Sequence, residues 1–523
     1  MASESAGKRL ARVPVKRLAI GLVAAFALGV AVTLQVRNWH ALGVESGGSC
    51  GSGEGVSYGN CPRGSTLMLT LSFLSLIVTV PVAFVALVSG LKARLGLPVL
   101  AVAALLGVVP GQLLFGWLHG DVLETAWAAA RERPSGVQGE GSWLHGSTVI
   151  RARFDRLSAY DLATGDVRWV YHVPAPQVLC AMSRGADGGV GLVGYGKEND
   201  MCSQVAAVNL SNGRALWTKD LAAAATEEYL RGLPPQTREQ YRRPGGLTVP
   251  LSLPRGTTPD MVAVAGDVAV VQTDRLLQGF GLREGEKSWE RQADERCRFD
   301  DVAGGAGQFL VEVTCAEAAP KLWAVDPADG KTRWEVPVPI RSTSANVTLL
   351  SASPAVAHVR EGGQRGIDVV VSLDQSGRIL ATVEIDDGHR RLNTSDAGFD
   401  AAPVRGLMVQ GDLLVASAQK DRGRNDLQAY GLGDGRLRWS TRVEDIEAVQ
   451  AERDRVLVLV DGPRAPDLLS LSLRDGRATH LGVTRFRWLT SDVALYSQGG
   501  RYVVVSEDAT SVDAFPVAVL RVK

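Results

Sequence analysis

Six cysteines, seven histidines and a Gly-x-Ser-x-Gly string are the residues of this 523-residue chain whose types could do chemistry. A serine nucleophile at such a string needs a strand before it and a helix after it. Here Ser57, flanked by Gly55 and Gly59, lies in a short glycine-rich loop between two apolar runs, so it reads as a loop residue. The histidines, at 40, 119, 145, 172, 358, 389 and 480, show no metal-ligand spacing, and His172 beside Trp169 and Tyr171 reads as strand packing. Lys331 and Thr332 follow Gly330 but lack the earlier glycine of a phosphate-binding loop, so nucleotide chemistry finds no support. Neither C-x-x-C nor the haem signature C-x-x-C-H occurs, which leaves disulfides or buried thiols for the cysteines.

Which of those two applies depends on the compartment, and the apolar runs decide it. Crossing a bilayer takes about 20 uncharged residues in a helix. Uncharged stretches between Arg17 and Arg37, Arg63 and Lys92, and Arg94 and Asp121 place spans at 18–36, 67–90 and 97–118. A cleaved signal peptide is the alternative for the first, because a basic segment precedes it. Pro81 and Pro110 fall inside spans, where neighbouring helices can satisfy the freed carbonyls, and Gly107 and Gly111 have the spacing of ordinary helix packing. Lys8, Arg9, Arg12, Lys16, Arg17, Lys92 and Arg94 flank one side of the spans, against Arg37 and Arg63 on the other. Positive charge stays inside, so residues 1–17 are cytoplasmic, the loop 37–66 is external, and everything after 119 is external too. All six cysteines then lie outside, where the simplest pairing is Cys50 with Cys61, Cys180 with Cys202, and Cys297 with Cys315.

Lysine and arginine total 56 against 56 aspartates and glutamates, so no global attraction to polyanions follows and nucleic acid is not an expected partner. With 46% apolar residues the chain is not mostly disordered, and its 58 glycines point to a turn-rich β region. Residues 121–133 can continue as a short helix, and 134–142 read as a linker, so that 119–142 joins an 18–118 membrane domain to 143–523.

Beyond the linker a repeat emerges. Segments 159–169, 207–217, 279–289, 324–334 and 429–439 each carry a small residue six positions before a glycine and a tryptophan four after it, giving Gly165 with Trp169, Gly213 with Trp217, Gly285 with Trp289, Gly330 with Trp334, and Gly435 with Trp439. Copies around Gly377 and Gly476 keep the turn and lose the tryptophan. Each copy reads as a strand, a tight turn whose glycine takes positive φ, and a second strand bearing an aromatic that fills the wedge between sheets. Such sheets cannot bury their faces alone, so they must stack into a ring.

The pattern A-x-D-x-x-T-G-x-x-x-W, nearly complete at Ala159, Asp161, Thr164, Gly165 and Trp169, resembles the repeat of PQQ-type β-propellers, a family that includes quinoprotein dehydrogenases and BamB-like envelope propellers. The resemblance covers roughly residues 138–523. It implies an all-β PQQ-like propeller behind three transmembrane helices, with eight blades favoured and seven possible; the segment 492–520 offers strands for an eighth blade or for closing the ring with the first. In the dehydrogenase branch the resemblance implies PQQ over the channel with Ca²⁺ held by carboxylate and amide oxygens. Calcium needs six to eight converging oxygens, whereas Asp326, Asp329, Asp386 and Asp387 read as solvated turn residues. No catalytic, metal or cofactor residue is therefore assigned.

The 72-residue step between Gly213 and Gly285 holds an insertion at 226–246 in which Arg231, Arg238, Tyr241, Arg242 and Arg243 suggest a partner-docking loop, an inert excursion being the alternative. The leading expectation is a membrane-anchored, non-catalytic, protein-binding propeller outside the cell membrane, with an envelope or membrane protein as partner and no cofactor. A membrane PQQ dehydrogenase of sugars or alcohols is the alternative, and a ligand sensor would need a separate output chain.

Overall fold

The computed structural model describes residues 15–46, 52–53, 56–57, 64–88, 93–120, 122–130, 139–197, 202–221, 234–242, 261–343, 345–363, 366–394, 406–420, 424–443, 446–461, 466–484, 493–506 and 515–522. The apolar runs form three helices, α1 (Val15–Ser46), α2 (Ser65–Val88) and α3 (Ala93–His119), each long and apolar enough to cross a membrane. α1 continues ten residues past the expected end of its span, and Arg37 lies within it, donating to Gln112 Oε1 of α3 at 2.9 Å. α1 and α3 approach so closely that a Cβ on Gly29 would stand 2.0 Å from the Ala104 carbonyl oxygen, and one on Gly107 2.2 Å from that of Phe26. The small residues thus do act as helix packing.

The rest is a ring of eight blades, each a meander of strands numbered here outward from the channel. They comprise residues 139–172, 177–220, 262–292, 297–337, 345–384, 390–442, 446–484, and finally 493–522 with 122–128. Eight apolar clusters occupy the eight junctions between neighbouring blades, including that between blades 8 and 1, where Val149 and Tyr160 meet Val503 and Val519. The ring is therefore closed with eight, not seven.

Closure corrects one expectation. Residues 121–133 were expected to be helical and the propeller to start at 143, but Val122–Ala128 is a strand, the outermost of blade 8, running antiparallel to Val517–Val522. Local sequence favours a helix there, since alanines crowd its end; tertiary pairing overrides it, because without this segment blade 8 has three strands and an open edge. Leu123 of this strand is fully buried among Leu457, Leu495 and Leu520. Two parallel pairs, Val122 with Val483 and Leu123 with Thr484, also tie it to blade 7.

The repeat has a physical reading at each junction. Gly165 takes φ +80°, its N–H donating to the Asp161 carbonyl, and the Asp161 carboxylate accepts the N–H groups of Ala163 and Thr164. The tryptophan of one blade lies on the turn glycine of the next: a Cβ on Gly213 would be 2.3 Å from the Trp169 ring, and on Gly285 2.4 Å from Trp217. Each indole N–H then reaches the carbonyl three residues before that glycine, as Trp169 to Leu210 (3.1 Å), Trp217 to Leu282 (3.0 Å), Trp289 to Pro327 (2.7 Å) and Trp439 to Leu473 (2.7 Å). The small residue six before the glycine pairs directly opposite the tryptophan, as Ala159 with Trp169 and Gly279 with Trp289.

Trp334 departs from the pattern. The turn that receives it is one residue shorter, with Gly377 N–H bonding Asp374 O three residues back where Gly165 bonds four back, and the Trp334 indole N–H is buried without an acceptor. Trp289→Phe should therefore cost about 1 kcal/mol more than Trp334→Phe, because only the first loses a hydrogen bond. Equilibrium denaturation of the two variants checks this, and equal losses would contradict it. In blade 5, where Ala381 replaces the tryptophan, the Ser372 hydroxyl donates to the Leu432 carbonyl in its stead.

Candidate functional site: the two ends of the ring

In a meander the connections from strand one to two and from three to four share one end, here the turn end, and the other connections share the far end. On the turn end the repeat carboxylates are spent locally. Asp161 pairs with Arg168, Asp326 with Arg333 (2.8 Å), Asp329 with Lys331 (2.6 Å), Asp374 with Arg378 (2.9 Å) and Asp434 with Arg438 (2.8 Å). The Arg168 hydrogen bond foremost holds the Asp161 carboxyl below its ordinary range, as the Ala328 N–H does for Asp326. These groups fix turns.

First-to-second-strand connections on this end are two or three residues long in every blade but the second, where 183–189 form a longer loop. Trp143 donates to the Ser183 carbonyl at 2.8 Å, Arg283 donates to that of Gly188, and the Arg184 guanidinium reaches the Leu350 carbonyl of blade 5 at 3.4 Å. Blades 2 and 5 are three steps apart round the ring, so Arg184 lies across the channel mouth.

The far end carries the disulfides and the insertion. Cys180 bonds Cys202 and Cys297 bonds Cys315, as the spacing suggested. Gly194 makes room for the first, since a Cβ there would stand 2.8 Å from Cys202 Sγ. Cys50 and Cys61 lie outside the described residues. So do Arg231 and Arg243 of the insertion; Arg238 is half-buried on the short helix α4 (Pro235–Arg242), whose last residues are Tyr241 and Arg242.

Sequence reasoning missed a charged group beside the second disulfide. Asp300 is the extra residue of a bulge in the innermost strand Cys297–Gly305 and pairs with Arg298 at 2.7 Å. Glu312, buried on the next strand, is pushed up to about 8 by burial first and by Asp300 second, with Arg298 opposing. Burial also raises Asp274 in the neighbouring blade, which the same two residues flank. The equivalent bulge in blade 1 holds Glu140, raised by burial and opposed by Arg151. A carboxylate in an apolar run such as Phe309 to Val313 was the one signal available, and it has no repeat to mark it.

Among the described residues no group of three or more His, Cys, Asp or Glu could hold a metal ion. Asp386 and Asp387 accept backbone N–H groups of their own turn, so these carboxylates converge on no shared point.

A family model described as outer membrane protein assembly factor BamB matches residues 182–441, from the inner strand of blade 2 to the outermost of blade 6. No curated protein matches significantly. Similar solved structures include BamB from Moraxella catarrhalis, 13% identical over 77% of this chain and 98% of that one with a TM-score of 0.41. Quinohemoprotein alcohol dehydrogenase from Comamonas testosteroni is 11% identical over 76% of each chain, with a TM-score of 0.44. The C-terminal WD40 domain of Sif2 is 10% identical over 77% of this chain and 99% of that one, with a TM-score of 0.42. The chain is an eight-bladed propeller, of which residues 182–441 match that family model, preceded by three apolar helices.

Proposed function

We propose that this propeller is a membrane-anchored, non-catalytic module that binds another protein at the cell envelope, with the N-terminus cytoplasmic and the ring outside. The observation that carries the reading is the match of blades 2 to 6 to an assembly-factor family model. Two further features support it. Both described disulfides fall in the ring, which suits an oxidising compartment, and basic residues concentrate on the other side of the spans. The partner is a protein of the envelope or membrane, and the turn carboxylates, already paired, serve the fold.

Amine crosslinking of the full chain in native membranes tests this, alongside calorimetric titration of PQQ with and without Ca²⁺ into the detergent-purified protein. The expected result is a discrete crosslinked protein and no heat from PQQ. Tight calcium-dependent PQQ binding, with nothing captured, would replace this reading by a membrane quinoprotein dehydrogenase acting on sugars or alcohols.

A further inference from the structure

Two local departures from the blade pattern, one in blade 2 and one in blade 5, meet across the turn-end mouth of the channel. In blade 2 the connection 183–189 is long, and both of its roots are pinned to neighbours. Ser183 is fully buried; its carbonyl accepts the Trp143 indole N–H of blade 1 at 2.8 Å, and its hydroxyl donates to the Gly185 carbonyl at 2.8 Å. At the other root Gly188 and Gly189 take φ +50° and +75°, Arg283 of blade 3 donates to the Gly188 carbonyl, and the Leu210 N–H donates to that of Gly189 at 2.9 Å. The crown between the roots, 185–187, is exposed, and Arg184 beside it reaches blade 5.

The acceptor there is the Leu350 carbonyl. Leu350 is the extra residue of a bulge in the innermost strand Ala345–Ala352, between Leu349 opposite Ala357 and Ser351 opposite Val356. A bulge takes its extra residue out of the ladder, which leaves this carbonyl to a donor from elsewhere. The inner strands also crowd together at this end. Gly304 and Gly305 finish the innermost strand of blade 4, where a Cβ on Gly304 would stand 2.0 Å from the Val264 carbonyl oxygen of blade 3, and one on Gly305 2.9 Å from the Ser353 nitrogen of blade 5. The Gln308 amide donates to the Ala352 carbonyl at 2.6 Å. Arg184 reaches past both of these blades to its acceptor.

We propose that 183–189 is a strap that closes the turn-end mouth of the channel, with Arg184 as its latch on blade 5, and that the mouth opens when this latch lets go. The latch is breakable, because its 3.4 Å bond is longer than the roughly 2.7–3.2 Å usual for an N–H donor to oxygen. An exposed crown takes little apolar surface with it, so the strap can lift while the blade junctions stay packed, and Gly185, Gly188 and Gly189 supply the backbone freedom to do so. The proposal stands on the ring alone and is independent of the partner-binding reading.

A Cβ on Gly185 meets nothing within 4 Å, so this position accepts a photo-crosslinking amino acid. The full chain carrying it is irradiated in detergent and digested with trypsin, and its crosslinked peptides are identified by mass spectrometry. The expected adduct is intramolecular, to the peptide 342–360 that follows Arg341 and holds the inner strand of blade 5. Its yield should fall about fivefold in an Arg184→Ala background, the factor that one hydrogen bond carries. Adducts confined to blades 1 to 3 would show that the strap does not cross the mouth, and equal yields in both backgrounds that Arg184 does not hold it; either result overturns the proposal. Both proteins should melt within a few degrees of the unsubstituted chain, since the crown lies outside the blade junctions. A large drop would make 183–189 part of what holds the ring together and would overturn the gate as well.

Discussion

A chain begun at Ser135 will fail to form a stable ring, whereas one begun at Gly120 will melt as a cooperative unit. The difference is the strand Val122–Ala128. Removing it strips the antiparallel partner from Val517–Val522, takes fully buried Leu123 out of the blade 7 to 8 core, and removes Trp127. Trp127 lies on Gly165, where a Cβ would stand 2.6 Å from its ring, and its indole donates to the Leu162 carbonyl at 3.0 Å. Truncating one buried leucine or tryptophan costs about 2–5 kcal/mol, and whole domains are stable by only about 5–15 kcal/mol. Losing both, with the hydrogen bonds of a strand, consumes most of that margin. Thermal melts by circular dichroism should show the shorter chain aggregated or unfolded tens of degrees earlier. Melting within a few degrees of the longer chain would show that blade 8 closes by another route. Trp127→Ala in the longer chain should fold and melt at an intermediate temperature.

The second large effect is a pH dependence located at one residue. Glu312, at about 8, lies well above its ordinary value of 4.5, through burial and the nearby Asp300. Its contribution is intact below about 4.5, where folded and unfolded chains both hold the proton, and is lost as pH rises through 8, where the folded chain must ionise a buried carboxyl. Glu312→Gln keeps the shape without the charge. Urea denaturation at pH 5 should find the two proteins similar, and by pH 9 the variant should be more stable by several kcal/mol, about 1.4 for each pH unit crossed. Parallel profiles for the two proteins would show that Glu312 is solvated or paired in the folded ring.

The repeat was legible because its physics is local: a glycine at positive φ, a small residue opposite a tryptophan, and a fixed spacing between them. Gly213 and Trp217 announce themselves by spacing even though each packs against a different blade, because every blade repeats the same contact. The disulfides were legible for a similar reason, since 18 and 22 residues separate cysteines on nearby strands. Trp127 was not, because its strand joins a blade whose other strands come almost 400 residues later and no turn glycine precedes it. Arg184 was not either, as its acceptor lies 166 residues away with no periodicity linking them. The short turn at Gly377 looked like a weakened copy, and only its hydrogen bonding reveals a missing residue and an orphaned indole.

The closing strand also sets a timetable. Residues 122–128 leave the ribosome directly behind α3, while their partner at 517–522 follows almost 400 residues later. At about 5–20 residues per second, the intervening chain takes roughly 20 to 80 s to synthesise. Throughout that interval an unpaired edge waits beside α3, tethered by two residues, as blades accumulate behind it. Ring closure is thus a late event: a chain cut short anywhere before 517–522 leaves that edge exposed, within reach of whatever removes unfinished proteins.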